Sequence, residues 1–138
     1  MGAVFADITL KNVSDETKSE LGLIKKDEIR SITVKAVVDT GASAVVINEE
    51  LRQKLGLEKM EERWYRLADG KRIPGWRTEQ PVRIHWKDRS CTIQAVVIPE
   101  ADKVLLGFIP LEDMDLMVCP KTQELVGAHG DEELYWLL

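Results

Sequence analysis

Apolar and polar residues alternate over residues 4–10, the period of a half-buried β-strand, whereas residues 14–22 have the polar, acidic composition of a loop or short helix. A β-branched run over residues 29–38 predicts the next strand, and a shorter one over 44–47 follows after a brief break. Asn48 is a good N-cap for a helix over 49–55, with Glu49 and Glu50 in its first turn and Gly56 at its stop. Residues 64–67 read as a strand, Asp69-Gly70 as a hairpin turn, and residues 71–76 as the returning arm. Residues 82–86 and 91–98 form a second hairpin around Lys87-Asp88-Arg89. The apolar run 104–109, broken by Gly107, leads into a short helix over 110–114 with Pro110 in its first turn. A last hairpin joins 115–119 to 124–126, and the apolar stripe 134–138 ends the chain.

Short strands with frequent turns and two short helices favour a closed or nearly closed β-barrel or sandwich. With 138 residues, 44% of them hydrophobic and 31% charged, the chain is expected to form one globular domain spanning 1–138. The two halves share a design: an apolar strand, a glycine-bearing break and a helical turn. A net charge of −5 argues against nucleic acid or an anionic membrane as partner, and the acidic clusters at 58–62 and 131–133 read as solvated surface. Residues 1–7 contain no basic-then-apolar leader and no stretch reaches the length of a membrane span, so the protein is expected in the cytoplasm. Gly2 lacks the hydroxyl residue at position 6 that acylation favours, since Ala6 stands there. Cys91 and Cys119 are expected to be free thiols. His85 and His129 have no ligand-spaced carboxylate or thiol beside them, so neither a metal nor a cofactor is expected. Trp64, Trp76, Trp86 and Trp136 suit core and interface packing better than a ligand cage.

One residue breaks the pattern. In Val37-Val38-Asp39-Thr40-Gly41-Ala42-Ser43, a carboxylate stands at the end of a run that packing alone would keep apolar. Burying an unpaired carboxylate is costly, so such a residue needs local donors or a chemical use. Thr40 supplies a hydroxyl and Gly41 an unobstructed backbone amide. A turn-capping aspartate is the structural alternative.

Asp39-Thr40-Gly41-Ala42-Ser43, preceded by Ala36-Val37-Val38 and followed downstream by Leu105-Leu106-Gly107, resembles the retropepsin-like aspartic proteases, in particular the small bacterial relatives of the retroviral enzymes. The resemblance covers residues 29–127. It implies an all-β fold, a closed barrel of the acid-protease type with one or two short helices, and an aspartic endopeptidase acting on peptide or protein substrates. Hydrolysis by such an enzyme needs two adjacent carboxylates that hold one shared proton. The chain has a single Asp-Thr-Gly, so the second aspartate is expected from a second copy in a homodimer. By the same resemblance Asp39 is catalytic, Thr40 and Gly41 support the site, and Ala42, Ser43, Ala68, Asp69, Gly70 and Leu106 contact substrate. Residues 67–76 correspond to the hairpin flap, and 134–138 to an intersubunit strand or a frayed tail. Ser43 and Phe108 occupy positions where retroviral members often place an acidic residue and an arginine that brace the loop. A catalytically inactive relative that dimerises or binds extended peptides is the alternative reading.

Overall fold

The computed structural model describes residues 3–138, so the reading of Gly2 lies outside the described residues. Strand β1 (Phe5–Asn12) buries Ala6, Ile8, Leu10 and Asn12 on one face and pairs antiparallel on both edges, with β2 (Ser31–Val38) and β6 (Val82–Trp86). Asn12 ends the strand as a buried polar group with both ends of its amide used. Its Oδ1 accepts the Asp15 amide at 3.0 Å and caps α1 (Val13–Glu20), and its Nδ2 donates to the Leu55 carbonyl at 2.8 Å. The polar stretch that read as loop or helix is therefore a helix held to the core by its cap.

After β2 come β3 (Val45–Ile47), α2 (Glu49–Leu55), and the hairpin of β4 (Lys59–Arg66) with β5 (Arg72–Thr78). Next follow β7 (Arg89–Ile93), β8 (Val96–Val97), β9 (Val104–Leu106), α3 (Phe108–Asp113), and a separate hairpin of β10 (Leu116–Cys119) with β11 (Glu124–Gly127). Helix α2 has the ends its sequence announces: Asn48 Oδ1 accepts the Leu51 amide at 2.9 Å, and Gly56 stops it in the left-handed conformation at φ 67°.

Nine strands form one sheet in the order β4-β5-β8-β3-β9-β2-β1-β6-β7, curled through 204° with β4 and β7 left as edges. The expected closed barrel is thus corrected to an open, curled half-barrel, and the expected one or two helices to three α-helices among the described residues. Closure requires the two edge strands to pair. Here β4 belongs to a hairpin that leaves the body of the fold, with six of its eight residues exposed. The core lies inside the curl, where Ile8, Leu10, Ile47, Leu55, Ile84 and Leu106 are almost fully buried.

The apolar run 91–98 is not one strand. It breaks at Gln94-Ala95, because buried Thr78 captures both residues: Gln94 Nε2 donates to the Thr78 carbonyl at 2.9 Å and the Ala95 amide to Thr78 Oγ1 at 3.0 Å. The chain thereby leaves one sheet edge as β7 and re-enters the interior as β8. Arg89, read as a turn residue, is 3% exposed at the start of β7. Its guanidinium donates to the carbonyls of Met114, Asp115 and Gly130 at 3.1, 2.6 and 2.7 Å, which ties the second hairpin to the chain's last turns. The Asp115 carboxylate bonds His129 Nδ1 at 2.8 Å and accepts the Leu134 amide at 3.0 Å. The His129 bond, foremost, holds that carboxyl below the usual carboxylate range. Beyond Leu134 the stripe 135–138 is exposed, Trp136 at 94%, and Trp64 is exposed as well, so only Trp76 and Trp86 serve the core.

Both cysteines are free. Burial pushes the Cys91 thiol up to about 12, while hydrogen bonds from Thr122 and the Lys121 amide lower that of half-buried Cys119. Titration of the native protein with an aromatic disulfide is therefore expected to show one promptly reacting thiol, Cys119, and a second only after denaturation. Two equally fast thiols, or a fast Cys91 in a Cys119→Ser variant, would contradict this assignment.

Candidate active site

Strand β9 is inserted between β2 and β3, parallel to the first and antiparallel to the second. The chain leaving β2 must pass over the end of β9 to reach β3, and residues 39–44 make that passage. Consecutive backbone contacts hold them. The Asp39 amide donates to the Leu106 carbonyl at 3.0 Å, and the Ala42 amide to the Asp39 carbonyl at 3.0 Å. From the other side the amides of Gly107, Phe108 and Ile109 donate to the carbonyls of Ala44, Ala42 and Ser43 at 2.9, 2.8 and 3.1 Å. The pairing of Asp39-Thr40-Gly41 with Leu105-Leu106-Gly107 in the sequence is thus a physical contact: the second motif carries the first.

Asp39 is half-buried at the end of β2. Its Oδ1 accepts the Gly41 amide at 2.9 Å, and a Cβ on Gly41 would approach that oxygen to 3.2 Å. By itself this contact is what a turn-capping aspartate makes. What sets Asp39 apart is its place on the wall of a cleft of about 390 Å³ that also contains Gly41, Ala42, Ser43 and Ala68. Residues of the β4–β5 hairpin line it as well, and Asp39 is the one carboxylate among the described residues lining the space.

Other anticipated positions lie elsewhere. Thr40 is exposed beside the cleft. Asp69 and Gly70 form the hairpin tip, where Asp69 Oδ1 accepts the Lys71 amide at 2.9 Å and Gly70 has φ 87°; neither lines the cleft. Leu106 is fully buried, and its neighbour Leu105 lines the cleft instead. Strand alternation accounts for this shift, because Val104 and Leu106 share the core face and Leu105 must then point the other way. Among the described residues no ion pair braces the loop. The Ser43 carbonyl accepts the Ile109 amide, and Phe108 is 40% exposed.

Sequence reasoning missed most of the apolar lining: Val46, Tyr65, Ile73, Val96 and Ile98. Tyr65 and Ile73 are direct cross-strand partners in the hairpin, a relation that becomes visible once its register is known.

The family model described as gag-polyprotein putative aspartyl protease matches residues 27–113, which include the Asp39 loop, the β4–β5 hairpin and Gly107. Among solved structures, a retropepsin-like aspartic protease from Rickettsia conorii is 20% identical over 86% of this chain and 77% of its own, with a TM-score of 0.55. EIAV protease, complexed with the inhibitor HBY-793, is 20% identical over 59% of this chain and 76% of its own, with a TM-score of 0.44. No curated protein sequence matches. No helix among the described residues is long and apolar enough to cross a membrane.

Proposed function

The chain belongs to the retropepsin-like aspartyl protease family, and from that premise we propose that residues 1–138 are one protease domain that cleaves peptide bonds as a homodimer. The observation that carries the reading is the solitary carboxylate. Asp39 sits in a cleft whose other lining residues are apolar, small or basic, apart from the hydroxyls of Ser43 and Tyr65. Hydrolysis by carboxylates needs one group to take a proton and another to give one, and a single carboxylate cannot do both at once. A second copy, bringing its own Asp39 across a two-fold axis, completes the site.

Two such carboxylates side by side hold one proton between them, because both cannot be ionised at that distance. Water between them attacks the peptide carbonyl carbon. The ionised Asp39 takes the water's proton while the protonated Asp39 gives its own to the carbonyl oxygen, which leaves a tetrahedral diol. Collapse of the diol breaks the C–N bond: the protonated carboxyl gives its proton to the leaving nitrogen, and the ionised one takes a proton from one diol hydroxyl, so that a carboxylic acid and an amine depart. The pair ends as it began, with one proton.

The remaining residues take supporting parts in this proposal. Thr40, exposed next to Asp39, reaches toward the partner's loop, and the Gly41 amide fixes the carboxylate's orientation. Ala42, Ser43 and Ala68 border the substrate, with small side chains that leave the cleft open. The β4–β5 hairpin closes over an extended peptide, with Asp69 and Gly70 at its moving tip and Leu106 acting from the core beneath.

The test is cleavage of a diverse peptide library between about pH 4 and 7, with the rate followed on dilution. If the site forms only in the dimer, each tenfold dilution below the dimer's dissociation constant lowers the rate about a hundredfold. A rate strictly proportional to concentration across dissociation would remove the shared site. A stable dimer that binds peptides and cleaves none would instead be the inactive binding module.

A further inference from the structure

Among the described residues, three buried side-chain atoms have no hydrogen-bond partner: Tyr65 Oη, Arg77 Nε and His85 Nε2. Arg77 and His85 lie away from the cleft, whereas Tyr65 lines it. The Tyr65 ring is deliberately accommodated. It stands in the β4–β5 hairpin against Gly75, where an added Cβ would come within 3.0 Å of Tyr65 Cδ2 and 2.7 Å of Ile98 Cδ1. Its direct cross-strand partner Ile73 and the neighbouring Ile98 also line the cleft, so the ring stands beside apolar side chains, with Arg66 the one basic residue of the lining.

A buried hydroxyl that no protein group satisfies is costly unless a water or a bound ligand meets it. We infer that Tyr65 is a specificity-determining residue, whose hydroxyl selects a peptide side chain bearing a hydroxyl or amide in an otherwise apolar subsite under the hairpin. The inference rests on the cleft's being the peptide site, though not on turnover. The physical basis is asymmetric: an apolar pocket discriminates poorly between similar shapes, but a site with a polar group to satisfy rejects the analogue that leaves it unpaired. Threonine is favoured over valine, and asparagine over leucine, at the position seated against Tyr65. A phenol both donates and accepts, so either group on the substrate serves.

Matched peptides differing only as threonine/valine or asparagine/leucine at each position, offered to the wild type and to Tyr65→Phe, provide the test. At one subsite the wild type is expected to prefer the hydrogen-bonding member by about tenfold in kcat/KM, and Tyr65→Phe to bring that ratio near one. Absence of the preference at every position, or its persistence in Tyr65→Phe, overturns the inference. Calorimetric binding of the same pairs to Asp39→Asn, with and without Tyr65→Phe, asks the question without turnover. A ratio seen in binding while the wild type cleaves nothing would sustain the role of Tyr65 and sink the protease reading, whereas binding of no peptide at all would sink both. Thermal unfolding is a second readout. Removing an unpartnered hydroxyl is expected to leave Tm unchanged or raise it, and a lowered Tm would show that the hydroxyl serves the fold.

Discussion

Asp39→Asn is expected to lower peptide cleavage by at least about a thousandfold, equivalent to roughly 4 kcal/mol of transition-state stabilisation, while folding and association persist. The substitution suits the geometry. The side-chain oxygen of asparagine still accepts the Gly41 amide that Asp39 Oδ1 accepts at 2.9 Å, so the turn over β9 keeps its local bond. What disappears is the capacity to share and exchange a proton. The measurement is kcat/KM on the best library substrate, with circular dichroism and sedimentation in the same samples. A mixed dimer carrying one substituted copy sharpens the result: if the two carboxylates act as one unit, it is as inactive as the doubly substituted dimer. Retained turnover in either form would reduce Asp39 to a turn cap.

Gly107→Val is expected to cost about 3 kcal/mol or more and to lower Tm by roughly 10 °C, with loss of activity in whatever remains folded. The reason is space and not conformation. Gly107 has φ −86°, which any residue adopts, but an added Cβ would lie 2.5 Å from the carbonyl oxygens of both Ala42 and Ala44 and 2.7 Å from the Ala44 nitrogen. All three are backbone atoms of the loop that carries Asp39. The Gly107 and Phe108 amides bond those same two carbonyls, so the loop cannot withdraw without losing its own supports. Gly70→Ala is the natural control. It carries the unusual backbone angle, φ 87°, yet has nothing within 4 Å of an added Cβ, and it is expected to cost about 1 kcal/mol. Equal and small effects of the two substitutions, measured by thermal unfolding, would show that contact with Gly107 does not hold the loop.

These expectations show where the sequence was legible. Asn48 and Gly56 mark a helix because capping and left-handed termination act within a few residues, and α2 has both. Asp39 stood out because a carboxylate in a β-branched run conflicts with packing, and that conflict is local. Arg89 was misread for the converse reason. Next to Lys87 and Asp88 it looks like a turn cation, yet its partners are carbonyls 25 and more positions away. The run 91–98 looked like one strand because both its segments are apolar, and only Thr78, from another strand, divides it.

The sequence by itself marked most of the strands, both ends of α2, and the misplaced carboxylate at Asp39. Propensity, alternation and capping act over a few residues, and a misplaced carboxylate is legible without partners. The tertiary structure alone decided that the sheet stays open, that Leu105 and not Leu106 reaches the cleft, and that Tyr65 lines the same cleft as Asp39 with an unpaired hydroxyl. Each of those facts depends on which distant strands become neighbours, and the burial energy that selects neighbours is summed over the whole core.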